Sequence, residues 1–201
     1  MSSYPFNLSR VVALLTDFGY KDHYVGVVKG RILKEIKKEY PIFVDITHEI
    51  APQDIKRAAL YLNFSYHYFP SGTIFLVVVD PEVGTEKKAI LFTYSSTFHA
   101  RDLFAICVAK LLNQEPLEDW TKPVCKDELK LIPFPEPAVI PGGYKLSIWL
   151  IDHFGNLITN FSKDLIQAPF EVWVNNRKVR LVKTYAEGND KVAATFSMLR
   201  T

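Results

Sequence analysis

The sequence predicts an α/β fold: a mostly parallel sheet with helices on both faces over residues 1–137, followed by a small antiparallel β-barrel domain over residues 138–201. Three observations predict it. Short, continuously apolar runs alternate with amphipathic stretches from Val11 onward, the order that yields parallel strands joined by right-handed crossovers. A proline-punctuated stretch from Pro116 to Pro141, followed by Gly142-Gly143, then interrupts this order and marks a boundary near residue 138. Beyond it, short apolar or alternating segments lie between turn residues, the pattern of antiparallel strands.

Val11-Val12-Ala13-Leu14-Leu15 reads as a buried strand leaving into Thr16-Asp17-Phe18-Gly19. From His23 to Glu39, Val25, Val28, Ile32, Leu33 and Ile36 recur at helical spacing between lysines and glutamates, and Pro41 ends that helix. Ile42–Ile46 is the second strand, Thr47–Pro52 a polar loop, and Ile55–Tyr66 a helix with Ala58, Leu62 and Tyr66 on its inner side. The third strand, Thr73–Val79, is apolar throughout and stops at Asp80-Pro81, which predicts a central place in the sheet. Lys88–Thr93 reads as a further strand, and Arg101–Leu112 as a helix with Phe104, Val108 and Leu111 inward. In the second domain Tyr144–Asp152, Glu171–Val174 and Lys178–Val182 are strands, the last two joined by an Asn175-Asn176 hairpin turn.

Composition removes several classes of function. An apolar fraction of 48% is enough for a packed core, so disorder is excluded as a global description. With 24 basic against 22 acidic side chains and no basic block, nucleic acid is not an expected partner. Cys107 and Cys125 alone supply neither a disulfide framework nor a four-cysteine metal site, which fits a reduced, cytoplasmic setting. Met1–Arg10 has no apolar run of secretory length, and Thr73–Asp80 is too short to span a bilayer, so no membrane association is expected. The chain has no HExxH metal pair, no GxSxG nucleophile elbow and no glycine-rich diphosphate loop. A zinc site of HExxH type and a diphosphate cofactor are therefore not expected, and a nucleoside without phosphates suits the site better than a dinucleotide.

Ligands of parallel sheets bind beyond the carboxyl ends of the strands, where Asp17, Asp45 and Asp80 stand. Asp17, with Asp22 near the next helix start, either caps backbone N–H groups or accepts hydrogen bonds from the vicinal hydroxyls of a ribose. Asp80 with nearby Lys87 either orients or deprotonates a small molecule, or closes a strand-ending turn with a surface ion pair. His99, in Ser96-Thr97-Phe98-His99-Ala100-Arg101-Asp102, can hold a water or move its proton near neutral pH. In Asp152-His153-Phe154-Gly155-Asn156, Gly155 allows close backbone approach, Phe154 offers a ring face to a planar base and Asn156 an amide donor and acceptor; a plain turn with a core phenylalanine reads equally well.

Taken in order, Thr16-Asp17-Phe18-Gly19, the segment Val79–Thr85, the segment Ser96–Asp102 and the segment Asp152–Asn160 resemble the S-adenosyl-L-methionine hydroxide adenosyltransferases, relatives of the fluorinase and chlorinase enzymes. The resemblance implies metal-free hydrolysis of S-adenosyl-L-methionine to adenosine and L-methionine. It also implies a homotrimer with active sites between the amino-terminal domain of one subunit and the carboxy-terminal domain of the next. Asp80, Lys87 and His99 would orient the water, Asp17 hold the ribose and Asp22 lie in the ligand shell. Asp152 would meet the methionine ammonium, and Phe154 with Asn156 the adenine. The chain departs from the family pattern in having Lys87 in place of arginine, Glu82 and Ala100 in place of glycines, and no Asp-Asn-Gly stretch before Ser96. The resemblance further implies a carboxy-terminal strand pair continuing past Val192–Thr201. Halogenation of the same substrate, and nucleoside binding without turnover, are the alternative expectations.

Overall fold

A computed structural model of the chain describes residues 8–80, 100–129, 131–162, 165, 169–182 and 193–194. The chain divides into two compact units, Met1–Leu131 and Ile132–Thr201. The expected strand Lys88–Thr93 lies outside the described residues.

In the first unit β1 (Val11–Thr16) lies between β2 (Ile42–Thr47) and β3 (Ile74–Val78), parallel to both. Among the described strands β1 is thus the middle one, the place the sequence reading gave to β3. Its run of apolar residues suits that place, because a middle strand buries both faces. Val12 and Leu14 pack with Val28 and Ile32 of α1 (Tyr24–Glu35) and with Val108 and Leu112 of α3 (Ala105–Asn113). Leu15, which strand alternation turns to the opposite face, packs with Ile50 and with Ala58 of α2 (Ile55–Ser65). Each fully buried leucine contributes about 1.5–3 kcal/mol relative to an exposed one.

α1 stops at Glu35, four residues short of the Glu39 to which the sequence reading carries it. The buried Asn113 explains this: its Nδ2 donates to the Glu35 carbonyl at 2.9 Å, and its Oδ1 accepts from Lys37 N at 2.9 Å. The chain turns extended at Ile36 instead of adding another turn. α2 begins conventionally, with Asp54 accepting from Arg57 N at 3.0 Å. A π-turn, Ala100–Phe104, leads into α3, with Arg101 forked onto Asp102 through Nε and Nη2.

The second unit corrects the expected barrel. β4 (Ala138–Ile140) and β5 (Gly143–Lys145) form a hairpin around Pro141-Gly142, and β6 (Ile148–Ile151) pairs antiparallel with β7 (Leu157–Thr159). β8 (Val172–Val174) pairs antiparallel with β9 (Arg177–Leu181), while β10 (Ala193–Ala194) adds to β9 in parallel. Asn175 and Asn176 have φ of 49° and 61°, the left-handed pair that a two-residue hairpin turn requires. Among the described residues these are three separate sheets, and none closes on itself. Closure needs every strand bonded on both edges with one consistent stagger; here β4 to β7 have one neighbour each, and the parallel β10 breaks the antiparallel order. The apolar residues do not share a closed interior either, with Val139 80% and Trp173 59% exposed. Buried Asn160 ties the unit locally, accepting from Ser147 N and donating to the Pro135 carbonyl, each at 2.9 Å.

Candidate active site

Because β1 and β2 are parallel neighbours, the turn leaving β1 and the loop from β2 to α2 emerge side by side at the carboxyl edge of the sheet. The register of β1 against β2 slips at this edge: Leu14 pairs with Asp45 and Leu15 with Thr47, so Ile46 is an extra residue. A bulge of this kind re-aims the side chains that follow it.

Asp17 is half-buried, and its Oδ2 accepts from Gln53 N at 3.0 Å. Gln53 occupies a left-handed position (φ 67°) in a turn closed by Asp54 N donating to the Ala51 carbonyl at 3.0 Å. Pro52 fixes the first central residue of that turn, so the Gln53 N–H is presented to Asp17 by backbone geometry. On the other side Gly19 N donates to the His48 carbonyl at 2.8 Å and Tyr20 N to Glu49 Oε1 at 3.2 Å. Gly19 has φ 69°, a conformation that a side chain would strain. The N-cap of α1 is His23, without a side-chain cap bond, and Asp22 is exposed just ahead of it. Asp17 is therefore fastened across to the β2–α2 loop; it takes a backbone N–H, as the capping reading expects, but from the residue before the N-cap of α2.

Beneath the turn lies a polar group. Lys29 Nζ donates to Asp45 Oδ2 at 2.6 Å, and His48 Nε2 stands 3.2 Å from Asp45 Oδ1. Burial raises the Asp45 carboxyl, but Lys29, with His48 beside it, outweighs it and holds the group below the usual carboxylate range. Tyr20, whose ring meets His48 edge-on at 4.9 Å between centroids, has its phenol pushed up, first by burial and then by Asp45 and Glu49.

Asp80 is half-buried two residues past β3, and the pairing of Thr16 with Val78 sets it near the level of Asp17 along the sheet edge. Lys87 and His99 lie outside the described residues. In the second unit the β6–β7 turn gathers three predicted residues. Asp152 accepts from Phe154 N (2.9 Å), Asn156 N (2.8 Å) and Asn156 Nδ2 (2.6 Å). The Asn156 side-chain bond leads in holding the Asp152 carboxyl below its ordinary value; slight burial opposes it, and the backbone donors assist. Phe154 is 87% exposed at the tip of this turn, so it is not a core phenylalanine. Sequence reasoning missed Lys29, His48 and Gln53; the Asp45-x-x-His48 spacing at a strand end and the Pro52-Gln53 turn pair were the available signals.

A parallel sheet with aspartates at the exits of β1 and β3, followed by a separate unit of small sheets, places the chain among α/β proteins of the kind that bind ligands at the carboxyl edge. Residues 12–96 match the model of the S-adenosylmethionine hydroxide adenosyltransferase amino-terminal domain, and residues 146–197 match that of the carboxy-terminal domain. The chain belongs to this family. It is 34% identical to a protein of Methanocaldococcus jannaschii named (R)-S-adenosyl-L-methionine hydrolase, over 77% of this chain and 68% of the relative. A Thermus thermophilus protein of the same name is 31% identical, over 89% of this chain and 84% of its own length. A solved structure of a conserved protein from Thermotoga maritima superposes with a TM-score of 0.72 at 28% identity, covering 89% of this chain and 84% of that one.

Proposed function

We propose that this chain hydrolyses S-adenosyl-L-methionine to adenosine and L-methionine, a water attacking the ribose C5′ in line as methionine leaves as a neutral thioether. The observation that carries this reading is the ordered match of both family domains on one chain. It is supported by the two relatives named as hydrolases of this sulfonium. The sulfonium is already a good leaving group, so the protein has mainly to align water and substrate.

The individual roles follow the resemblance. Asp17 takes the ribose hydroxyls; with Gln53 N on Oδ2, its remaining lone pairs suit two further donors. Asp22 stands in the ligand shell. Asp152, kept anionic by its three donors, suits the methionine ammonium. The exposed Phe154 ring and the Asn156 amide suit adenine. Asp80, Lys87 and His99 orient the attacking water. The working assembly is a homotrimer with sites between subunits, in the cytoplasm.

Incubation with S-adenosyl-L-methionine, with and without chloride, followed by chromatography tests the reaction. Equal amounts of adenosine and methionine are expected in both arms. 5′-Chloro-5′-deoxyadenosine in the chloride arm would reassign the chain to halogenation, and no product above the protein-free control would overturn both.

A further inference from the structure

Three of the contacts made by the Asp17 turn converge on one residue. His48 is 0% exposed; its Nδ1 meets Thr16 Oγ1 at 2.7 Å, its carbonyl accepts from Gly19 N, and its ring meets Tyr20. Asp45 Oδ1 and His48 Nε2 are both buried and 3.2 Å apart, with no well-aligned hydrogen bond to any group among the described residues. A ring nitrogen facing a carboxylate oxygen at that distance has to carry the hydrogen, since two lone pairs would repel. In the neutral ring Nδ1 is then the acceptor, and the Thr16 hydroxyl donates to it. The Thr16 oxygen in turn accepts from Phe18 N at 3.3 Å. One series of polar contacts, its Asp45–His48 link a 3.2 Å approach and not an aligned hydrogen bond, therefore runs from Lys29 through Asp45, His48 and Thr16 into the backbone on the far side of Asp17.

We propose that Thr16 and His48 are positioning residues for Asp17: the Lys29–Asp45–His48–Thr16 chain fixes the direction in which the β1 turn presents its carboxylate to a nucleoside. The proposal rests on the reading of Asp17 as the ribose acceptor. Neither residue touches the ligand in it. Thr16 is buried, and His48 acts from beneath the turn.

Titration calorimetry with adenosine alone and L-methionine alone, on the full chain and its variants, tests it. Thr16→Val, which keeps the volume and removes the hydroxyl, is expected to weaken adenosine about tenfold, equivalent to about 1.4 kcal/mol, and to leave methionine within about twofold. Thr16→Ser is expected to restore adenosine binding. His48→Asn, which keeps an acceptor toward Thr16, is expected to bind adenosine more tightly than His48→Leu. If a His48 variant does not melt cooperatively, the Thr16 pair decides alone. Asp17→Ala separates the two readings. If it loses adenosine while Thr16→Val binds like the native chain, or if Thr16→Ser is as impaired as Thr16→Val, positioning is overturned and the Asp17 role stands. If Asp17→Ala binds adenosine normally, or the native chain gives no heat at millimolar adenosine, the Asp17 role falls and the positioning role with it.

Discussion

Asp45 shows how a single side chain couples the sheet to the site and to pH. Its folded carboxyl titrates below the unfolded value of about 3.9, so its stabilising contribution is complete above that value. The contribution is lost as the pH falls through the lower folded value. Asp45→Asn is expected to lower the melting temperature at pH 7, because Lys29 and His48 lose their anion, and the gap to the native chain is expected to close below about pH 4; melts from pH 7 to pH 2.5 would check this. The two cysteines make a contrast of the same kind. Burial pushes the Cys107 thiol up to about 11, whereas Cys125 is exposed. Iodoacetamide at pH 8 is expected to add one group to the native chain, at Cys125, with peptide mass spectrometry as the readout. Asp17 and Asp80 were legible in the sequence because strand exits are set by where apolar runs end; Asp45, assigned to an exit by the same rule, lies inside β2 opposite Leu14. His48 and Gln53 were not, because their meaning depends on a bulge and a left-handed turn that bring two loops together across the sheet.

At the scale of elements, periodicity located β1, β2, β3 and α1 to α3 of the first unit, because each buries a face in the core. It overran the end of α1. Nothing between Ile36 and Glu39 forbids a helix; the stop comes from Asn113, far along the chain, taking the backbone groups that would have continued it. Asn113→Ala is expected to cost about 1–3 kcal/mol, because it leaves a helix-end carbonyl and the Lys37 N–H without their partner; urea unfolding would measure it. In the second unit the turn chemistry was readable at Asn175-Asn176, but the way the hairpins assemble was not. Strands of two to five residues satisfy several arrangements of edges equally well by pattern, so alternation suggested a barrel where separate small sheets are found.

At the scale of the molecule, the proposed roles of Asp17 and Asp152 fall in different units, Met1–Leu131 and Ile132–Thr201. If sites form between subunits of a trimer, each catalytic position draws these two aspartates from different chains. Co-expressed Asp17→Ala and Asp152→Ala chains, each inactive alone, are then expected to recover about a quarter of native turnover through mixed assemblies. Sites built within single chains would recover none, and sedimentation of the same sample would give the subunit number. The placement of β1 has one more consequence, during synthesis. Val12 finds its partner Phe43 early but waits for Ile74 on its other edge. A nascent chain stalled between those residues exposes an apolar, half-paired ribbon to its neighbours on the ribosome.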